Sequence, residues 1–221
     1  MAVTFDPSTD FEDVVDGLEA VTIVRRGSST TSITNALQRA ISDHEIAESN
    51  GQLKAGDVRW HFPTVEADTV PRLGDVVLDA NEDRYTILDV QHATLEKRYR
   101  CIARNLRVYY GLDDTIDILQ ARYTKGDGGA MEVDGWDKHK TGIRARIQPV
   151  ESDVGAEYQS RRTVKRVEIL IEDIDPRIDP DQRHRVRAKD GTIYKVTGYS
   201  GAEQIGDVPR IQAEETPWPL T

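Results

Sequence analysis

Apolar and polar residues alternate in many short segments of this chain. Val58–Phe62 and Val167–Ile171 both follow the pattern, with Leu170 as the one exception. Alternation places every second side chain on one face of a sheet, so these segments are predicted to be β-strands. Such segments recur roughly every 8 to 12 residues, a spacing that is typical of a small antiparallel barrel or sandwich.

The alternation also repeats along the chain. When the sequence is compared with itself at an offset of 109 positions, apolar residues coincide without a gap from residue 58 to residue 102. The matches are Val58 with Val167, Trp60 with Ile169, Phe62 with Ile171, Pro71 with Pro180, Val77 with Val186, Tyr85 with Tyr194, Ile87 with Val196, Val90 with Tyr199 and Ile102 with Ile211. Chance alternation does not readily keep one register through several turns, so we interpret the pattern as a duplication.

Turn residues support the same organisation. Asp190-Gly191 separates two strand-like segments and is a strong hairpin signal, and Asn81-Glu82-Asp83 occupies the equivalent turn of the first copy. The sequence therefore predicts a mainly β protein of two tandem small antiparallel β-barrel or sandwich domains, with a short helix and long loops. The predicted parts are an acidic N-terminal arm over residues 1–17, a first β domain over 18–110, a second over 111–215 and a C-terminal tail over 216–221.

Two segments do not follow the alternation. Ile33, Ala36, Leu37, Ala40 and Ile41 are spaced as on one face of a helix, which predicts an amphipathic helix over residues 33–46, capped by Ser32 or Thr34. The corresponding segment of the second copy, Ile143–Val150, alternates and predicts a strand. Residues 124–141 are rich in glycine and acidic side chains, which predicts a long mobile loop.

Charge and cysteine content argue against several classes of protein. The 221 residues carry a formal net charge of −10, which argues against tight wrapping of nucleic acid because such binders place Lys and Arg on phosphates. The acidic N-terminus does not resemble a signal peptide, and no apolar run is long enough for a membrane helix. A single cysteine, Cys101, permits no internal disulfide, so we expect a soluble protein made in a reducing compartment.

Candidate catalytic and metal motifs are incomplete. Gly126–Gly129 is followed by Ala130 and Met131 instead of the Lys-Ser or Lys-Thr pair of a phosphate loop. The nearby carboxylates do not match the spacing of a calcium loop, and no two of the five histidines have the spacing that places both on one helix face for zinc. Alternation directs Cys101 away from the neighbouring arginines, as a packing residue. We therefore expect no enzyme activity, metal or cofactor.

Arginines cluster in several strand-like segments. They are compatible with outward sheet faces paired with Asp and Glu, or with subunit interfaces, where Arg is enriched. The candidate interface residues are Arg98, Arg100, Arg161, Arg162, Arg183 and Arg185.

The second copy has an order of motifs seen in one protein family. These are a strand at Ile118–Arg122, Gly128-Gly129 leading to Trp136, the Arg-Ala-Arg-Ile-Gln-Pro strand at 144–149, Thr163 before the strand at 167–171, the hairpin at 185–196 and a strand around Ile211. In this order the copy, about half of the chain, resembles the head–tail joining proteins of tailed bacteriophages. The first copy fits more loosely, through Asp57–Pro63 and Leu73–Val90, and lacks the Gly-Gly loop and the Asp-Gly turn.

The resemblance implies a structural virion protein of the neck, a head-completion or stopper protein assembled in the host cytoplasm. Such proteins form rings between a portal or adaptor protein and a tail terminator or tail tube, and DNA passes through the lumen without sequence-specific binding. Some members have a lumen loop that gates the channel. The matching residues are Lys125, Gly126, Asp127, Gly128, Gly129, Asp134, Trp136 and Asp137. Acidic side chains there would deny DNA a phosphate-binding site.

Two barrels per chain add an expectation about symmetry. Six chains would present twelve barrels, so one ring could match a twelve-fold portal and a six-fold tail, although a dodecamer is the alternative. A tail terminator or another tail protein is a second interpretation within the same class. A small barrel that binds oligonucleotides or sugars is a third, but Tyr85, Tyr99, Tyr194 and Tyr199 are too few and too spread to stack bases.

Overall fold

The structure is a computed structural model that describes residues 16–25, 29–63, 70–93, 98–126, 128–150, 165–172, 180–181 and 183–216. Strands account for most of these residues, and the chain divides into two compact units near Tyr109–Tyr110. None of the described helices has the length and apolar character needed to span a membrane.

The first unit is a six-stranded antiparallel barrel. Its strands are β1 (Leu18–Val24), β2 (Thr30–Ala40), β3 (Asp57–Pro63), β4 (Val76–Leu78), β5 (Arg84–Ala93) and β6 (Arg98–Arg104). They follow the order β1-β2-β3-β6-β5-β4, and pairing of β1 with β4 closes the barrel. Helix α1 (Asp43–Glu48) lies between β2 and β3, and helix α2 (Leu106–Tyr110) follows β6. Trp60 and Phe62 stack at the centre of the apolar core.

The second unit repeats this topology. Its strands are β7 (Asp114–Lys125), β8 (Met131–Pro149), β9 (Arg166–Ile171), β10 (His184–Ala188), β11 (Ile193–Ser200) and β12 (Arg210–Glu215). They follow the order β7-β8-β9-β12-β11-β10, which matches the first barrel strand by strand, and β10 pairs with β7 to close it. Ile169 and Ile171 take the places of Trp60 and Phe62 in the core. The predicted class, two tandem small antiparallel β-barrels, is confirmed.

A shared irregularity supports the duplication. The ladder between β5 and β6 shifts register at Leu88, and the ladder between β11 and β12 shifts at Thr197, 109 positions later. Because a bulge is a local feature of one strand, its recurrence at the same offset fits a common origin for the two barrels.

The predicted match of Ile102 with Ile211 is wrong by one residue. Cys101, not Ile102, lies opposite Trp60, as Ile211 lies opposite Ile169. The segment that joins the last two strands is therefore one residue longer in the second copy. A one-residue change inverts which side chains face the core, so Cys101 packs in the core and Ile102 faces outward.

The predicted helix over residues 33–46 is also wrong, because β2 occupies residues 30–40. An extra residue in β2 opposite Glu19–Val21 allows both Ile33 and Ala36 to face the core, which imitates helical spacing. The helix that does form begins after Ser42, whose hydroxyl accepts a hydrogen bond from the Glu45 backbone N–H while the Glu45 carboxylate accepts one from the Ser42 N–H. The predicted strand at 143–150 is present as the end of β8.

Candidate functional site: assembly surfaces

Residues 122–135 form a two-stranded extension of the second barrel, here called the β7–β8 ribbon. Strand β10 pairs with β7 only as far as Gln120, whereas β7 and β8 continue to pair up to Lys125 and Met131. The prediction of a long mobile loop over 124–141 is therefore wrong, because only residues 126–130 connect the strands. The glycines that suggested a loop are confined to that turn and to position 135, where a bulge interrupts the ladder.

One face of the ribbon is apolar and exposed. Tyr123 lies opposite Val133, and Lys125 lies opposite Met131, so these side chains share a face. The exposed fractions are 41% for Tyr123, 64% for Met131 and 50% for Val133. Adjacent large apolar side chains in contact with solvent are typical of a protein–protein contact. Sequence analysis missed this surface because it assigned the segment to a loop, although Met131 and Val133 do alternate with polar residues.

One arginine of the ribbon lies close to two carboxylates. The Arg122 guanidinium lies 3.3 Å from Asp134 and 3.3 Å from Asp137. A Cβ at Gly135 would stand 2.9 Å from Arg122 Nη2, so this glycine leaves room for the guanidinium. These pairs reduce the negative charge that Asp134 and Asp137 present, and the assignment of both residues to a channel loop stays a prediction. Asp127 lies outside the described residues.

Trp136 and two of the predicted interface arginines lie at the base of the ribbon. The Arg185 guanidinium carbon is 4.6 Å from the centre of the Trp136 ring, a cation–π contact, and burial lowers the Arg185 pKa. Arg183 lies 2.6 Å from Asp181, and this hydrogen bond holds the pKa of Asp181 at about 2. Arg183 is therefore paired with an acidic residue of its own barrel and Arg185 contacts Trp136, while their role at a subunit interface stays a prediction.

The first barrel has a basic face, defined here as Arg39, Arg59, His61, Arg98 and Arg100. Strand pairing brings these side chains together on the outer surface of β2, β3 and β6, because Arg39 lies opposite Arg59 and His61 lies opposite Arg100. Burial, and then Arg39, Arg59, Arg100 and Arg98, lower the pKa of His61 to about 4. The positive potential here is therefore strong enough to oppose protonation of a half-buried imidazole.

Strands β9 and β12 of the second barrel carry ion pairs near the equivalent surface. Arg166 pairs with Glu214 at 3.1 Å, Arg210 with Glu168 at 3.6 Å and Lys165 with Glu215 at 3.4 Å. The two barrels therefore share one backbone topology but differ in how the cations of these strands are paired. Of the remaining predicted interface residues, Arg161 and Arg162 lie outside the described part of the chain.

The structure places Cys101 where no reagent or metal reaches it. Its side chain is fully buried in the first core, and burial, with Asp89 and Asp75 as smaller causes, raises the pKa of the thiol to about 12. Within the described ranges, no group of three or more His, Cys, Asp or Glu side chains could hold a metal ion. A cavity of about 420 Å³ in the second barrel is lined by Asp114, Ile147, Ala188, Lys189, Asp190 and Tyr194.

No protein-family model matches the chain, and no curated protein is significantly similar to it in sequence.

Proposed function

We propose that this chain is a structural virion protein of the tailed-phage neck, which forms a ring between the portal or adaptor protein and the tail. The observation that carries the proposal is the projecting β7–β8 ribbon on a small closed barrel, at the place where the motif order of head–tail joining proteins has its Gly-Gly segment. A stiff arm with an exposed apolar face suits contact with a neighbouring protein better than it suits binding of a small substrate.

The structure changes the role that we propose for this segment. Arg122, Lys125, Asp134 and Asp137 give the ribbon both signs of charge, with its carboxylates at 134 and 137 already paired. The ribbon would pack against an adjacent subunit through Tyr123 and Val133, and its turn at residues 126–130 would reach the channel. Arg122 and Lys125 stand among the carboxylates of Glu132 and Asp134 and form no row of cations for the phosphates, so the duplex could slide past them.

The test is to count subunits in the assembly formed by the purified full-length chain, using native mass spectrometry and electron microscopy. We expect a closed ring of six chains, which presents twelve barrels. The double substitution Tyr123→Ser and Val133→Ser should abolish the ring or raise the concentration at which it forms at least tenfold. Val108→Ser, which removes an apolar side chain that is 72% exposed in the first unit, is the matched control and should leave the ring intact.

A ring of twelve full-length chains would contradict the six-chain arrangement, and a chain that stays monomeric at its highest soluble concentration would contradict a ring altogether.

The basic face of the first barrel is the one observation that favours a different class, a small barrel that binds oligonucleotides. Tight binding of duplex or single-stranded DNA at low salt would support that class. The neck protein should show little binding, because its net charge of −10 repels DNA.

A further inference from the structure

Two arginines of the basic face have no ion-pair partner among the described residues. These are Arg39 and Arg100. Arg59 Nη2 donates to Glu45 at 2.7 Å, but the buried Arg59 Nε has no hydrogen-bond partner. Asp89, on the neighbouring strand, lies opposite Ile102 and accepts a hydrogen bond from Gln91. Arg39 is exposed and Arg100 is partly buried, so both guanidinium groups are accessible to the carboxylates of another molecule.

The same barrel has an acidic rim, defined here as Glu19, Asp79, Glu82 and Asp83. The last three occupy the turn between β4 and β5, and Glu19 lies near the beginning of β1. Burial and the charge of Asp79 raise the pKa of Glu19, which shows that carboxylates of the rim are close enough to repel one another. Arg84 follows this turn in the sequence and stands against the four carboxylates of the rim, which therefore keeps an excess of negative charge.

The two surfaces are different regions of the first barrel. The basic face belongs mainly to β3 and β6, with Arg39 on β2, whereas the acidic rim belongs to β1 and to the turn after β4. In the closed order β1-β2-β3-β6-β5-β4, β3 stands three places from β4, and β6 stands three places from β1. A contact between two different surfaces of one subunit is heterologous, so each copy can bind two neighbours, one through each surface.

We propose that the basic face of one copy binds the acidic rim of the next copy, in a head-to-tail contact between first barrels. A second copy is the partner that the charges favour, because each chain brings both complementary surfaces at fixed positions. Nucleic acid would instead meet the repulsion of a chain whose net charge is −10. In the second barrel, by contrast, Arg210, the residue that corresponds to Arg100, already has Glu168 as a partner.

This contact would be one of those that build the proposed ring, because heterologous contacts that close generate rings. It does not require that the ring belong to a phage neck. Charge exchange between variants of the full-length chain tests it. One variant reverses the basic face by Arg39→Glu and Arg100→Glu, and the other reverses the acidic rim by Glu19→Lys and Glu82→Lys. The matched control is Arg210→Glu, which changes the residue of β12 that corresponds to Arg100.

In sedimentation velocity, the wild type should associate, each variant alone should associate at least tenfold more weakly, and an equimolar mixture of the two should recover association. Recovery is expected because the reversed face of one variant then meets the reversed rim of the other. The control should associate like the wild type, and circular dichroism should show all variants folded.

Three results would overturn the contact. These are a monomeric wild type, variants that associate normally, and a mixture of folded variants that does not recover. Loss of heparin or DNA binding in the face-reversed variant, with association unchanged, would assign the face to a polyanion instead. A wild-type ring of six chains combined with failed recovery would reject this contact and leave the proposed neck function standing.

Discussion

At the scale of single residues, the most informative comparison is one cross-strand ion pair present in both barrels with its charges exchanged. In the first barrel Asp57 accepts hydrogen bonds from Arg104 Nε and Nη2 at 2.6 and 2.8 Å. In the second, Arg166 occupies the aspartate position and Glu214 the arginine position. The Asp57 side chain is fully buried, whereas the Arg166 side chain is 61% exposed.

Because the two ion pairs differ in burial, they should contribute very different amounts to the free energy of unfolding. Asp57→Ala leaves the Arg104 guanidinium without its buried carboxylate, so we expect it to lower the free energy of unfolding by about 3 to 5 kcal/mol. Arg166→Ala breaks a solvated pair and should cost about 1 kcal/mol or less. Urea unfolding followed by circular dichroism measures both. Equal effects of the two substitutions would contradict the difference in burial on which the prediction rests.

His61 should report the potential of the basic face through its titration. Its pKa of about 4 lies below the ordinary 6.5, so the folded chain takes up this proton later than the unfolded chain as pH falls. The stability linked to His61 is therefore complete above pH 6.5 and is lost as pH falls from 6.5 towards 4. We expect His61→Gln to remove that part of the pH dependence of unfolding.

Nuclear magnetic resonance titration of the His61 ring gives the direct measurement. Arg39→Gln should raise the midpoint because it removes the largest of the arginine contributions, although burial still keeps it below 6.5. Arg210→Gln, in the other barrel, should leave the midpoint where it is. A ring that titrates near 6.5 in the wild type would mean that the face is solvated and weakly charged.

At the scale of elements, the hairpin turns of the two barrels place different residues at the same left-handed backbone position. Gly191 has φ of +89° in the β10–β11 turn, and Glu82, 109 positions earlier, has φ of +63° in the β4–β5 turn. Glycine adopts this left-handed conformation without steric cost, whereas other L-residues do so at roughly 1 to 2 kcal/mol.

Exchanging the residue types should therefore have opposite effects. Glu82→Gly should raise the free energy of unfolding by roughly 0.5 to 1 kcal/mol, because relief of strain exceeds the extra freedom of glycine in the unfolded chain. Gly191→Ala should lower it by about 1 kcal/mol. Thermal unfolding of the two variants beside the wild type is the measurement. A destabilised Glu82→Gly chain would show that the glutamate side chain contributes more than its backbone costs.

Sequence pattern predicted the elements whose side chains alternate strictly. The strands β3 and β11 and the Asp190-Gly191 turn were evident because one face of each strand is buried, and β9 follows the same pattern apart from Leu170. Two elements were predicted wrongly, each for a physical reason. The bulge in β2 gave Ile33 and Ala36 a helical spacing, and the glycine and charge content of β8 concealed a strand that is exposed on both faces at its beginning.

At the scale of the whole molecule, the first-barrel contact and the ribbon contact should respond differently to salt. Raising the salt concentration from about 0.1 M to about 1 M shortens the screening length from roughly 10 to 3 Å, which weakens contacts between charged surfaces. We expect association through the basic face to weaken at least tenfold over this range. Contacts through Tyr123 and Val133 are apolar and should persist. Analytical ultracentrifugation of the wild type and the Arg39→Glu, Arg100→Glu variant separates the two contributions.

The candidate surfaces were only partly accessible from sequence. Arg98 and Arg100 were identified, but Arg39, Arg59 and His61 were not linked to them, because the order of β2, β3 and β6 in the barrel is a tertiary property. The ion pairs of the ribbon were not predictable for a similar reason. A list of charges along the chain does not show that Arg122 folds back onto Asp134 and Asp137.

The exchanged ion pair has a consequence for how the chain reaches its native state. A protein that contains one topology twice risks exchanging equivalent strands between its halves during folding. If β3 paired with β12, Asp57 would face Glu214, and if β9 paired with β6, Arg166 would face Arg104. Each wrong partnership sets like charges opposite one another, which is destabilising in antiparallel pairs. The exchange of charges between the two ion pairs thus disfavours pairing between strands of different barrels.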